Sequence, residues 1–137
     1  MKFPPPPHPS PSKPAFTPPP GACDTHVHVF GPTAKFPYHP KTTYMPVDVP
    51  KEKLRALHGL LGLDRSVIVQ ATCHGTDNAA TLDAIATSNG RWKGVAIVDE
   101  TFTEKDFEAL HEGGIRGIRF SFARHLSGPP NFDRVHR

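Results

Sequence analysis

"RSVIVQAT", residues 65–72, decides the fold. Val67, Ile68 and Val69 are consecutive β-branched residues with no polar side chain between them. Such a run suits a strand covered on both faces, as in a parallel sheet. Parallel neighbours need a long crossover, usually a helix. The flanking sequence supplies one on each side. Upstream, Leu54, Leu57, His58 and Leu61 recur at helical spacing over residues 50–61. Pro50 suits the first turn of that helix and Gly62 its C-terminal cap. Downstream, residues 77–88 read as a second helix with Thr76 or Asp77 as cap, an apolar stripe of Leu82, Ile85 and Ala86, and Gly90 just past its end.

The alternation continues outward. "KGVAIVDE" (93–100) is a third strand. "TEKDFEALHEGG" (103–114) is a third helix with Thr103 as N-cap, acidic residues in its first turn and glycines at its close. "GIRGIRFSF" (114–122) is a fourth strand, and "SGPPNFDRVHR" (127–137) is a loop that opens a fourth helix. The first strand lies at residues 21–30, around "CDTHVHVFG" (23–31). Four strands alternating with helices imply parallel βαβ units. The fold class is therefore α/β, and the count is that of half a (β/α)8 TIM barrel, for which about 250 residues are typical. A small open α/β sheet is the alternative.

Residues 1–20 carry ten of the seventeen prolines. Proline fixes φ and has no N–H, so this stretch is expected to be a disordered, extended, polyproline-like arm, with residues 21–137 forming the half-barrel. Prolines directly after "MKF" replace the apolar stretch of a signal peptide, and no run approaches a membrane span. The net charge is +3, and no Lys/Arg block with interleaved aromatics appears. These features argue for a cytoplasmic location and against nucleic-acid or membrane partners. Cys23 and Cys73 fall at opposite strand ends, too far apart to bridge, and are expected to be free thiols in a reducing compartment.

Side chains on a strand alternate between faces. This parity puts Asp24, His26 and His28 on one face of the first strand and Val27 and Val29 on the other. Burying the valines beneath helices leaves the imidazoles in the lumen, near the C-terminal mouth where barrel enzymes do their chemistry. On the fourth strand, Ile118 and Phe120 face the helices while Arg119 and Ser121 face the lumen. A guanidinium there is suited to grip a carboxylate by two hydrogen bonds. On the second strand, Gln70 and Thr72 point inward, and His74 continues that side into the loop. Residues 31–50 form a long loop with five prolines. Its Tyr38 and Tyr44 can pack over the barrel end or touch a ligand. His58 and His111, on helices, are expected at the surface.

Together, "DTHVHVFG", "VIVQATCHGTDNAATLDAI" and "HEGGIRGIRF", in that order, resemble the amidohydrolase superfamily. Within it, residues 20–130 are most similar to the 2-pyrone-4,6-dicarboxylate lactonases. The resemblance implies a (β/α)8 barrel and a hydrolase that opens a lactone or ester of a small carboxylated ring by water attack, in the breakdown of aromatic compounds. It implies that His26 and His28 stabilise the developing oxyanion and that Arg119 grips a substrate carboxylate. Tyr44, Thr72 and His74 would add substrate contacts. The family's second arginine, on the loop after strand four, corresponds here to Arg124 and His125. The resemblance implies no cofactor. A decarboxylase of the same superfamily, with one Zn²⁺ on His26 and His28, is the alternative. The family's general base comes from strand eight and a further histidine from a later strand. The chain is thus expected to be an N-terminal half, inactive alone, whose open sheet edges could associate with another chain.

Overall fold

The computed structural model describes residues 1–120. Ser121, Arg124, His125 and the start of the expected fourth helix lie outside the described residues. The elements are β1 (Cys23–Val27), α1 (Lys51–Leu61), β2 (Arg65–Val69), a 3-10 turn (Thr72–His74), α2 (Ala79–Ala86), β3 (Trp92–Ile97), α3 (Glu104–Glu112) and β4 (Ile115–Arg119). The four strands form one parallel sheet in the order β1-β2-β3-β4. Order in space follows order in sequence, as in a barrel wall, whereas a doubly wound sheet reverses direction partway. Among the described residues no helix is long and apolar enough to cross a membrane.

All three helices cover one face of the sheet. Leu54 of α1, Ile68 of β2, Ala80 and Ala84 of α2 and Trp92 of β3 share a core cluster with Val29 and Phe36. Ile85 of α2, Ala96 of β3, Leu110 of α3 and Ile115 of β4 form a second. Burying one side chain such as Ile68 contributes about 2–3 kcal/mol. The opposite face, by alternation, carries His26, His28, Val67, Val69, Val95, Ile97 and Arg119. Ile118 and Phe120 fall on the helix side as parity required, Ile118 opposite buried Ala96 and Phe120 against the second cluster.

Helix ends follow their sequence signals. Gly62 closes α1 in the left-handed conformation, φ 73°, which glycine adopts without a Cβ clash. At the start of α3 the Thr103 hydroxyl (2.6 Å) and N–H (2.7 Å) both donate to Asp106 Oδ2, holding the Asp106 carboxyl below its usual range. The start of α2 differs. Its N-cap is Asn78, while Asp77 Oδ1 accepts from the Ala79 N–H. The Asn78 amide makes two bonds to the Ile97 backbone, donating to its O (2.9 Å) and accepting from its N–H (3.1 Å). This pins α2 to the C-terminal end of β3.

Five residues correct the sequence reading. Leu57 of α1 is exposed, and so is Ala86 of α2, whose buried stripe is Ala80, Thr81, Ala84 and Ile85. His58 is a core residue, 3% exposed, because it lies one helical turn from buried Leu54. Asp24 is not on the imidazole face. The β1–β2 register is irregular between Asp24 and Val27, and Asp24 Oδ2 instead meets His58 Nε2 at 3.2 Å beneath α1. Gln70 shares Ile68's side of β2 and is fully buried toward α2. Both cysteines are free, as expected. The arm, residues 1–20, is exposed apart from the half-buried Pro18.

Candidate active site

The segment following β2, residues 69–74, organises the non-helical rim of the sheet. Val69 O accepts a hydrogen bond from His28 Nδ1 (2.7 Å), and the next carbonyl, Gln70 O, accepts from Arg119 Nη1 (3.2 Å). Two consecutive carbonyls thus aim an imidazole from β1 and a guanidinium from β4 over the C-terminal end of β2. Further along, the Tyr44 hydroxyl lies 3.0 Å from Thr72 Oγ1 and accepts from the Cys73 N–H (3.2 Å). His26 completes the cluster, its ring edge-on to His28 with centroids 5.2 Å apart.

Gln70 makes this segment rigid. Its amide donates to Gly75 O (3.2 Å) and Asp77 O (2.7 Å) and accepts from Thr81 Oγ1 (2.7 Å). The side chain expected at the rim is therefore the buried brace under it. Sequence parity failed here because "VIV" is apolar on both faces and gives no sign of which side carries the helices.

His74 is also structural in its contacts. It is 2% exposed, and both ring nitrogens bond to backbone. Nε2 accepts from the Gly31 N–H (3.3 Å), so Nδ1 carries the proton and donates to Pro37 O (3.4 Å). Burial holds His74 below its usual pKa, in the neutral form this geometry needs. Gly31 is obligatory at that contact: its φ is +69°, and a Cβ there would sit 2.4 Å from Asp48 Oδ1. His74 thereby anchors the 31–50 loop that carries Tyr44. Lys35 and Lys51 fasten the same loop and the start of α1 to Asp83 on α2.

The rim has a clear electrostatic character. Burial lowers the His28 pKa, and the positive charges of His26 and Arg119 lower it further, against the raising effect of the Val69 bond. With Nδ1–H committed to Val69 O, neutral His28 presents Nε2 as an acceptor. Burial raises the Tyr44 pKa, so its hydroxyl stays protonated as a donor. Among the described residues, two imidazoles, a guanidinium and a phenol gather here with no carboxylate bonded to their side chains, a composition chemically suited to an anion. The described residues contain no group of three His, Cys, Asp or Glu placed to hold a metal ion. His26 and His28 alone fall short of the three protein ligands of a catalytic zinc site, and the Arg119 charge nearby opposes a cation.

Residues 23–136 match the family Amidohydro_2, described as amidohydrolase. The chain belongs to this family. The chain is 48% identical over 117 residues to a 2-pyrone-4,6-dicarboxylate hydrolase of Comamonas testosteroni, covering 85% of the chain and 38% of that protein. It is 43% identical over 126 residues to a 4-sulfomuconolactone hydrolase of Rhizobium radiobacter, covering 89% of the chain and 42% of that protein. It superimposes on the crystal structure of a probable 2-pyrone-4,6-dicarboxylic acid hydrolase of Acinetobacter baumannii with citric acid bound. The TM-score is 0.67 at 30% identity, over 73% of this chain and 37% of that one. The chain thus spans about two fifths of the length of the curated relatives it matches.

Proposed function

We propose that residues 21–137 supply the N-terminal half of the site of a lactone hydrolase built on a (β/α)8 barrel, the four strands being β1–β4 of eight. The substrate is a lactone of a small carboxylated ring, of the 2-pyrone-4,6-dicarboxylate kind. The observation that carries this reading is the convergence of His26, His28, Tyr44, Thr72 and Arg119 on one segment, with positive charge and no carboxylate among them. The names of the relatives, lactone hydrolases of anionic rings, and the citric acid bound to one of them point the same way.

In this reading Arg119, steadied at Nη1 by Gln70 O, offers its remaining N–H groups to a substrate carboxylate. Tyr44 and Thr72 add neutral hydrogen bonds. Arg124 and His125 are assigned to the same carboxylate-binding role from sequence alone, while His74 keeps its anchoring role. His26 and His28 flank the lactone carbonyl. For His28 to donate to an oxyanion, Nε2 must be protonated. A bound dicarboxylate supplies the negative charge that raises its pKa, so substrate binding takes up a proton. No cofactor is needed for these steps, since hydrogen-bond donors stabilise the oxyanion directly. The metal-dependent decarboxylase alternative would need a third ligand beside His26 and His28 and is tested by stoichiometric Zn²⁺. We place the protein in the cytoplasm, with small carboxylated molecules rather than nucleic acid or membrane as its partners.

The test is binding and turnover of 2-pyrone-4,6-dicarboxylate. Calorimetry on the chain should show binding that tightens from pH 8 to pH 6, a range in which the carboxylic acids of this ligand stay ionised. Arg119→Gln should weaken it by about tenfold or more. Loss of pyrone absorbance reports turnover in the protein as its gene encodes it. Absence of binding, or binding indifferent to Arg119, overturns the reading. A second reading rests on the outer edges of β1 and β4, which are unpaired among the described residues. Such edges can pair with another chain to close a barrel. A monomer by light scattering would remove that reading.

A further inference from the structure

The arm is tied down at both ends, and its tip reaches the rim. At its root, the Gly21 N–H donates to Asp64 Oδ2 (2.7 Å), and Arg65 Nε donates to Gly21 O (2.6 Å). Pro18 lies against Gly62, where an added Cβ would be 3.3 Å from Pro18 Cδ. These residues adjoin the N-terminal ends of β1 and β2. At the tip, the Lys2 N–H donates to Thr43 O (3.0 Å) and Lys2 O accepts from the Met45 N–H (2.8 Å). This is a parallel bridge that brackets Tyr44. The Tyr44 hydroxyl sits at Thr72 and Cys73, past the C-terminal end of β2. The arm therefore runs from one end of the sheet to the other.

Its composition suits that path. The eighteen residues between Lys2 and Gly21 reach about 56 Å as polyproline II. A five-residue strand such as β2 rises roughly 17 Å, so the reach is ample. Ten prolines lower the entropy the arm loses on docking. Prolines cannot donate to a bridge, whereas Lys2, just before the run Pro4–Pro5–Pro6–Pro7, has both an N–H and a C=O to offer. The 31–50 loop needs such a tie. His39 N bonds Cys73 O, and Val49 pairs with Phe30. Between those two points, among the described residues, Lys2 makes the backbone bonds that link the loop to another segment.

We propose that the N-terminal arm is a strap whose Lys2 backbone is a positioning element for the Tyr44 hydroxyl, and so for recognition of a substrate carboxylate at the rim. The recognition clause rests on the function proposed above; the strap itself does not. The side chain of Lys2 takes no part.

Hydrogen exchange in the 137-residue chain tests the strap without any ligand. The Met45 amide reports the bridge, and the Cys73 amide reports the Tyr44 hydroxyl. Deleting residues 1–3 should speed exchange at both by about tenfold or more at unchanged Tm, the size of one lost net hydrogen bond. Lys2→Ala keeps the backbone groups and should leave both protected. In a Tyr44→Phe background the deletion should change the Cys73 amide no further. A Met45 amide as fast in the intact chain as in the deletion overturns the strap. A faster Met45 with an unchanged Cys73 overturns positioning of Tyr44. Calorimetry with citrate forms a separate arm: the deletion should weaken binding about threefold to tenfold. An intact chain that binds no citrate counts against the carboxylate reading, and the exchange data still decide the strap.

Discussion

His58 and His28 lie on opposite sides of the same sheet, and their surroundings differ in kind. His58 is packed under α1, with Nε2 on Asp24 Oδ2 and its ring edge-on to Trp92 at 5.9 Å. Its Nδ1 is buried with no hydrogen-bond partner among the described residues. His28 is only half-buried, is held through one nitrogen by Val69 O, and lies edge-on to the His26 ring and within electrostatic reach of Arg119. At the helix-covered side the imidazole is a core residue with a carboxylate beside it. At the rim, among the described residues, two imidazoles and the Arg119 guanidinium are gathered with no carboxylate bonded to their side chains. The difference shows how to tell an imidazole that stabilises from one that binds: count the acidic partners and see which nitrogen remains unspent.

The largest expected effect falls on the brace between the two sides. Gln70→Leu strands the part-buried Gly75 and Asp77 carbonyls and the buried Thr81 hydroxyl. Urea unfolding should show a loss of about 3 kcal/mol or more, since each stranded group costs roughly 1–3 kcal/mol. A loss below 1 kcal/mol would mean that the segment does not depend on this amide. Next come the two histidines themselves. His58→Leu should cost about 1–3 kcal/mol of stability through the broken Asp24 contact and leave dicarboxylate affinity within twofold of wild type. His28→Leu should do the reverse, changing stability by under about 1 kcal/mol and abolishing the pH dependence of binding. If His58→Leu weakened binding at unchanged stability, the contrast between the two sides would fail.

A smaller effect sharpens the comparison by pH. His28 and His74 both have pKa values lowered in the fold, chiefly by burial. Each therefore binds fewer protons folded than unfolded. Their contribution to stability is fully present above the unfolded pKa of about 6.5 and is lost as pH falls from there toward the lowered folded values. Urea midpoints should drop between pH 7.5 and pH 5. His74→Gln should flatten part of that slope, because the Gly31 N–H then bonds a group that does not titrate. Smallest of all, Arg119→Lys should leave stability unchanged and weaken dicarboxylate binding about threefold to tenfold, since lysine keeps the charge but not the fork.

The order and type of every described strand and α-helix were legible in the sequence, because the apolar runs, caps and glycines agree with one another, whereas the 3-10 turn at Thr72–His74 was not. Thr103 and Gly62 fell at the ends they signalled. Facing was harder. His26, His28 and Arg119 point as parity requires, whereas Asp24 does not, because a register irregularity adds a half-step that alternation cannot register. His58 was in the apolar stripe by its spacing from Leu54, and its polar ring argued wrongly for the surface. Asn78, which grips both backbone groups of Ile97, carries no signal beyond that of a helix cap. The tie between Lys2 and the Tyr44 loop joins residues 42 apart and has no local signature at all.

The paired anchors Val69 O and Gln70 O have a consequence for how this protein can change. Adjacent carbonyls point to opposite sides of an extended chain, so one inserted or deleted residue between positions 67 and 70 would send the imidazole and the guanidinium to exchanged or missing footholds. Length variation among descendants should therefore accumulate in the stretch from 32 to 47 and be almost absent from residues 67–70, whatever substrate each descendant has come to prefer.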